Sequence, residues 1–337
     1  MAVLNDGTDM LQISHHAGRG WTFQEQLLSK RTIIFTPDGS IYFRCLHSVW
    51  SEDNNDDARP SVVTFEPDYP YLAFEQNVPA ALAYDSLVLH YTERSLTNQS
   101  DALNAFAGLQ KLLESRFDGP FFEGIPSCAL DFFILFTGHF VTLKRRPEFP
   151  SWSWAGWIGK VKLDQRQLLF NPQELAEWLE KRTWIRWYKI NEWDRPRAIW
   201  NPVSRPTHAN CKSRNDPVVE RECISDGPEV FERGDLIDRN GKLVGSIHLD
   251  DHFVKPDKLS LPFELIILSE AKETQGGCAL VDERGYFSEN WDLYWIMLLK
   301  WDEDTGVAER RGLGQVYQEA VATSFEPGPA WKEITLA

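Results

Sequence analysis

Three features of the 337-residue sequence predict an α+β protein. Residues 78–138 carry apolar side chains at helical spacing, and from Val230 onward short apolar runs alternate with turn signals. Two Gly-marked turns, Pro37-Asp38-Gly39-Ser40 and Arg239-Asn240-Gly241-Lys242, separate runs rich in β-branched and aromatic residues. Helical and strand patterns are thus segregated along the chain rather than interleaved, which sets α+β apart from a parallel α/β sheet.

Taken in order, residues 21–30 lack Gly and Pro and are rich in Gln, Glu and Leu, so they read as a helix. Arg31–Phe35 and Ile41–Cys45 flank the first turn and read as a hairpin, since Pro fixes φ and Gly supplies positive φ. Residues 51–71 are acidic, then proline-rich (Pro60, Pro67, Pro70), and read as a connecting loop. Helices are expected over 78–91, over 100–117 and over 126–137. The second has Ala102, Phe106, Leu109 and Leu113 on one stripe behind the cap candidates Ser100 and Asp101, and Pro126 suits a first-turn position in the third. The alternation Pro150-Ser151-Trp152-Ser153-Trp154-Ala155-Gly156-Trp157 predicts a strand with Trp152 and Trp154 on one face and Ser151 and Ser153 on the other.

Residues 172–188 read as helix, and the Pro- and Arg-rich stretch 190–226 as irregular. Residues 235–238 and Leu243–Leu249 form the strongest hairpin signal, because Asn-Gly suits a type I′ turn. Strands follow at 261–269, Leu293–Trp301 and Ala308–Tyr317, the last two joined by a hairpin loop at 302–306. The expected segments are 1–60, a linker and helical region over 61–145, and a Trp-rich segment with a mostly β domain over 146–337.

Composition narrows the function classes. There are 35 basic and 50 acidic residues, a net charge of −15, so the average surface repels phosphate backbones and anionic headgroups. No nucleic-acid or membrane partner is expected. Residues 129–136, the most apolar stretch, are interrupted by Asp131 and fall short of the ~20 residues of a membrane helix. The N-terminus lacks a basic region followed by an apolar core, and the five cysteines are few and widely spaced, so a reducing cytoplasmic setting is expected. The 14 tryptophans point to a large aromatic core.

Metal and phosphate motifs are weak. Asp53, Asn55 and Asp57 alternate like a calcium loop, but Ala58 stands where Gly is needed and Thr64 where Glu is needed. His248 and His252 with Asp250 and Asp251 have metal-like spacing but follow a strand, and Cys211, Cys223 and His208 lack the close pairs of a zinc site. Gly312-x-Gly314 after Arg310 and Arg311 lacks a third Gly, and reads as a glycine-marked bulge or bend in a strand. No metal site or resident cofactor is expected.

Three blocks resemble the fungal heterokaryon incompatibility (HET) domain family. Arg19-Gly20-Trp21-Thr22-Phe23-Gln24-Glu25-Gln26-Leu27-Leu28-Ser29-Lys30-Arg31 is similar to that domain's last signature block. Ser95-Leu96-Thr97 with Asp101-Ala102-Leu103-Asn104-Ala105-Phe106-Ala107-Gly108 resembles its linking helix, and Pro150-Ser151-Trp152-Ser153-Trp154-Ala155 resembles a block downstream of it. Two earlier family blocks, around Ser-Tyr-Trp-Gly and Cys-Ile-Asn-Gln, are not found. The resemblance is therefore to a HET domain truncated at its N-terminus, whether by a truncated gene, a mis-called gene start or a degenerate paralogue.

The resemblance implies a role in fungal non-self recognition, an innate-immunity-like pathway ending in growth arrest or programmed cell death. The HET domain itself resembles the TIR fold, a small parallel α/β domain, so the first part is expected to be a TIR-like remnant of one helix plus a strand pair. TIR enzymes that cleave NAD carry a catalytic glutamate four residues after a Trp, which maps onto Glu25 and Trp21. These two lie one helical turn apart, about 40° around the axis, and Leu28 continues that side, so Glu25 is expected at the rim of an apolar stripe. Arg19 and Arg31 then serve either as its ion partners or as ligands of the NAD diphosphate. Trp21, Trp152 and Trp154 are expected in the core, with a ligand-stacking role as the alternative, and in the NAD-cleaving reading Trp21 joins Arg19 and Arg31 as a cofactor-binding candidate. The leading expectation is a non-catalytic interaction or regulatory protein that pairs with a protein partner, such as a full-length HET protein. The alternative is an NAD glycohydrolase using Glu25, with NAD as substrate and the missing strands supplied by a partner chain.

Overall fold

The computed structural model describes residues 18–35, 39–45, 49–52, 78–117, 119–139, 141–163, 171–190, 196–200, 218–220, 233–238, 241–251, 264–272, 291–324 and 329–337. Helices and antiparallel sheets coexist in it, so the α+β class holds. The chain divides into two compact units, Met1–Arg116 and Phe117–Ala337, where the sequence reading placed boundaries at 60 and 145. The shift has a packing reason. The helices after residue 78 join the first unit, and the basic and Trp-rich segments join the second.

In the first unit, α1 (Gly20–Leu28) leads into the antiparallel strands β1 (Arg31–Phe35), β2 (Ile41–Cys45) and β3 (Val49–Ser51), in that order across the sheet. The expected hairpin is present, with Phe35 opposite Ile41 and Arg31 opposite Cys45. Next comes α2 (Ala80–Thr92), buried almost all round, and then α3 (Ala107–Glu114). The helix expected over 100–117 is α-helical only in its second half. Its first half is a 3-10 turn, Gln99–Asp101, followed by further turns. Ala102, Phe106, Leu109 and Leu113 are nonetheless all buried, because turns of three and of 3.6 residues keep such a stripe on one side over so short a span.

The blocks 19–31 and 95–108 pack together. Arg19 and Ser95 form a parallel bridge, with Gly20 N donating to Ser95 O at 2.8 Å and Ser95 N to Gly18 O at 2.7 Å. A Cβ on Gly20 would lie 2.6 Å from Leu96 Cδ2. Gln24 Oε1 accepts from Gly108 N at 3.2 Å where α1 meets α3. Tyr91 sits between Phe23 and Phe106, with ring centroids 6.2 and 5.1 Å away, and its hydroxyl donates to Ala102 O at 2.6 Å.

In the second unit, β4 (Phe121–Phe122) and β5 (Ile125–Pro126) form a tight hairpin in which Glu123 and Gly124 both have positive φ. The helix expected over 126–137 shrinks to a 3-10 turn, Ser127–Ala129, and α4 (Leu130–Phe133), and the chain then extends as β6 (Phe136–Gly138). Residues 129–136 are apolar apart from Asp131 and buried on every side, so they carry no periodicity to separate helix from strand. After β7 (Lys144–Arg145), the stretch 150–157 departs from the expected strand. It is a turn and a 3-10 turn, Trp154–Gly156, before β8 (Trp157–Ile158). The serines divert it: Ser153 Oγ accepts from Ala155 N at 3.0 Å and donates to Glu123 O at 2.6 Å, a local alternative to a strand ladder.

β9 (Val161–Leu163) pairs with β6, and α5 (Pro172–Lys181) follows, capped by the Asn171 side chain with Pro172 in its first turn. This helix ends seven residues short of expectation, since its aromatic continuation pairs as strand β10 (Trp187–Ile190) with β11 (Pro196–Trp200). With β12 (Val218–Glu220), two strands therefore occupy the stretch expected to be irregular. β13 (Arg233–Ile237), β14 (Leu243–Leu249), β15 (Glu264–Ala271), β16 (Leu293–Trp301) and β17 (Ala308–Tyr317) complete a six-stranded antiparallel sheet in the order β12-β13-β14-β17-β16-β15. α6 (Gln318–Ser324) follows.

The hairpin loop between β13 and β14 is closed by Gly241 N donating to Asp238 O and Asp238 N to Lys242 O, both at 2.9 Å, with Gly241 at φ +77°. Arg239 and Asn240, on which the type I′ expectation also rests, lie outside the described residues. The bulge near Gly312 is present, at Arg311 on β17 opposite Leu298 and Leu299. Gly312 and Gly314 let β17 press on β14, because a Cβ on Gly314 would lie 2.2 Å from Ser246 O. Trp184, Ile247, Tyr294, Ile296 and Val316 form the core on one sheet face, and Trp295, Met297 and Leu299 are buried on the other. Among the described residues, no helix is long and apolar enough to cross a membrane.

Candidate functional site

The expected constellation sits on α1, and the helix turns it outward. Gly20, Thr22, Phe23 and Leu27 are buried, whereas Glu25 is exposed, Trp21 is 37% exposed and Leu28 41%. Both stripes have helical spacing, and Gly20 decides between them by letting its side of the helix close on Leu96. Trp21 is therefore not a core residue, and Glu25 lacks the burial expected of it. Arg19 and Arg31 are both exposed, Arg19 just before α1 and Arg31 past its end at the start of β1. Trp21 and Glu25 lie one turn apart on the outward side of that helix.

Beside α1, the sheet presents an apolar face. Register puts Ile33 opposite Phe43 and Phe35 opposite Ile41, so these four share one side. Ile33 is 60% exposed, Phe35 73% and Phe43 38%, while Ile34, one position away, is buried on the other side. Among the described residues β1 is an edge strand, with one side of its backbone unpaired by sheet.

In the second unit the Trp-rich block is a structural hub. Arg146 Nη1 donates to Ala155 O and Trp157 O at 2.7 and 2.8 Å, and Arg145 Nη1 donates to Phe149 O at 2.6 Å. Ser151 Oγ accepts from Arg310 N at 2.8 Å, and Ser151 O accepts from Trp157 Nε1 at 2.7 Å. Trp154 is buried and Trp152 half-buried. Arg310, fully buried, makes a two-pronged pair with Asp250 (2.8 and 2.9 Å), donates to Ile134 O at 2.7 Å and to Phe136 O, and stacks on the Phe136 ring at 4.0 Å. Arg311 pairs with Asp251 at 2.9 Å and Glu309 at 2.9 Å. Burial pushes the Asp250 carboxyl up, and the Arg310 guanidinium pulls it back. The acids read as metal-like and the arginines read as phosphate-like are thus one interlocked set of ion pairs.

Two further features are polar. A cleft of about 370 Å³ is lined by Asn171, Glu174, Glu177, Trp178, Arg182 and Trp291. Arg182 and Lys272 already lie over the Trp291 ring, at 4.2 and 4.9 Å, and they pair with Glu270 and Glu174 respectively. Asp131 on α4 is buried, and its Oδ1 accepts from Trp187 Nε1 at 2.9 Å, while Oδ2 has no hydrogen-bond partner. Burial pushes this carboxyl up to about 7, against the opposing pull of the Trp187 bond and its own backbone amide. The sequence signal was present in Asp131 interrupting the most apolar stretch of the chain, but nothing local names its partner 56 residues away.

Among the described residues, no group of three or more His, Cys, Asp or Glu side chains is placed to hold a metal ion. Asp53, Asn55, Asp57, His208, Cys211, Cys223 and His252 lie outside the described residues. Compared with protein-family models, with curated proteins and with solved structures, the chain matches none.

Proposed function

We propose that this chain is an interaction protein of the HET type, acting in fungal non-self recognition through a protein partner rather than by catalysis. The observation that carries the reading is the apolar face of the β1–β2 hairpin, where Ile33 and Phe35 are 60% and 73% exposed at a sheet edge. Contiguous exposed apolar surface on a soluble fold marks a docking site, and an unpaired edge strand offers backbone bonds to a partner strand. The packing of block 19–31 on block 95–108 through Gly20 and Gly108 also supports the family reading, because it gives those two glycines a physical role. The sheet that follows α1 is antiparallel in all described strands, and Glu25 is exposed rather than set in an enclosed cleft, which favours the non-catalytic form.

The test is co-precipitation with a co-expressed full-length HET-domain protein. The double variant Ile33→Asp/Phe35→Asp is expected to lose complex formation by tenfold or more while α1–α3 remain folded by circular dichroism. Wild-type protein that captures no HET partner, or a double variant that binds as well, overturns the proposal. Purified chain that hydrolyses NAD at a rate lost in Glu25→Ala replaces it with the glycohydrolase reading.

A further inference from the structure

The β10–β11 hairpin lies against the 3-10 turn Ser127–Ala129 that runs into α4. A part-buried polar contact ties the two together, the Trp187 indole donating to the Asp131 carboxyl. The second carboxyl oxygen is buried and makes no hydrogen bond of good geometry. Burial favours the neutral acid over the anion in a carboxyl held this way. As an anion it keeps the indole donor and the pull of its own backbone amide but loses its water, a poor exchange in an apolar setting.

The surroundings supply no compensating charge that the structure describes. On β10 the charged side chain is Lys189, which is exposed and stands 5.1 Å from the centre of the Phe122 ring. On the 3-10 turn the titratable group is the half-buried Cys128 thiol, and β5 contributes only Ile125 and Pro126. Leu130 and Phe132 flank Asp131 on α4 itself, and Phe133 follows. The β11 side chains, Arg197 among them, lie outside the described residues.

We propose that the Asp131–Trp187 contact is a pH-gated latch, which holds the β10–β11 hairpin onto the α4 segment in acid and releases it as the solution becomes neutral. Opening exposes Asp131 to water, where it ionises as an ordinary carboxyl at 3.8, whereas the closed form holds its proton to about 7. The closed form therefore binds the extra proton between those values, and its advantage is largest at low pH. It falls as pH rises toward about 7 and then levels off. The hairpin surface becomes available near neutral pH and is withdrawn on acidification.

Hydrogen exchange of the Trp187–Ile190 amides across a pH series tests the latch, after correction for the intrinsic exchange rate. Protection is expected to fall about tenfold per pH unit from about pH 5 to about pH 7 and to be level above that. Asp131→Asn keeps an acceptor for the indole without a titrating proton, so its protection is expected to be high and flat. Independently, the Asp131 carboxyl carbon of the unmutated protein is followed by NMR, and its midpoint is expected near 7. Flat protection in the wild type, an unchanged slope in Asp131→Asn, or a carboxyl midpoint in the ordinary range each overturns the latch.

Discussion

Arg310→Leu is expected to lower the unfolding free energy of the second unit by about 3–5 kcal/mol, read as a drop in the urea midpoint at constant slope. The substitution strands three groups at once. Asp250 keeps its charge in a fully buried position without its guanidinium, and the carbonyls of Ile134 and Phe136 lose their donors. The loss depends on pH in a defined direction. Without Arg310, burial and the neighbouring Asp251 charge raise the folded-state pKa of Asp250 above the unfolded one, opposed only by the smaller pull of Arg311. The neutral form is then tolerated, so the deficit shrinks in acid and grows as pH rises. The double variant Arg310→Leu/Asp250→Leu is expected to recover part of the stability, because the uncompensated charge is gone. A single variant as stable as wild type would show that the pair contributes nothing to the fold.

Trp178→Ala is expected to cost about 3–5 kcal/mol in the same unfolding experiment, in the range for deleting a large buried aromatic. Trp178 is fully buried on α5, meets Phe132 edge to face at 5.8 Å, and donates its indole N–H to Glu270 O at 3.0 Å. It fastens α5 both to the α4 segment and to the edge strand β15. Trp178→Phe keeps most of the ring but leaves the Glu270 carbonyl without that donor, so about 1–3 kcal/mol is expected from that change. Equal losses for the two variants would place the whole effect in the hydrogen bond.

Local patterns were legible where one strong signal dominated. The hairpin Arg31–Phe35/Ile41–Cys45, the helix start at Pro172 and the pair Leu293–Trp301/Ala308–Tyr317 follow from turn chemistry, helical spacing and apolar strand runs, and all are present. Legibility failed where the stretch was apolar on every side, as at 126–137, or where side chains claimed the backbone, as Ser153 does. The orientation of α1 turned on Gly20, whose effect depends on Leu96 rather than on anything in the helix.

Long-range pairing was the least legible feature. The Asp250–Asp251 and Arg310–Arg311 pairs are 60 residues apart, and each taken alone resembles part of a ligand site. Only the β14–β17 register, with Leu249 opposite Gly312, brings them together as a closed set of opposite charges. Asp131 and Trp187 have the same difficulty, since neither residue type forecasts the other. The outward Trp21–Glu25 pair remains compatible in spacing with the sequence reading, but its surroundings are set by contacts that spacing does not encode.

The strand order of the large sheet has a consequence for how the chain assembles. β13–β14 and β16–β17 are each joined by a short loop, so each hairpin can close quickly and locally. The ladder from Gly245–Val316 to Leu249–Gly312 zips the two hairpins together, and it must wait for the ends of a long intervening stretch of chain to meet. Its glycines, with no side chain to interlock early, suit a seam that forms last and opens first.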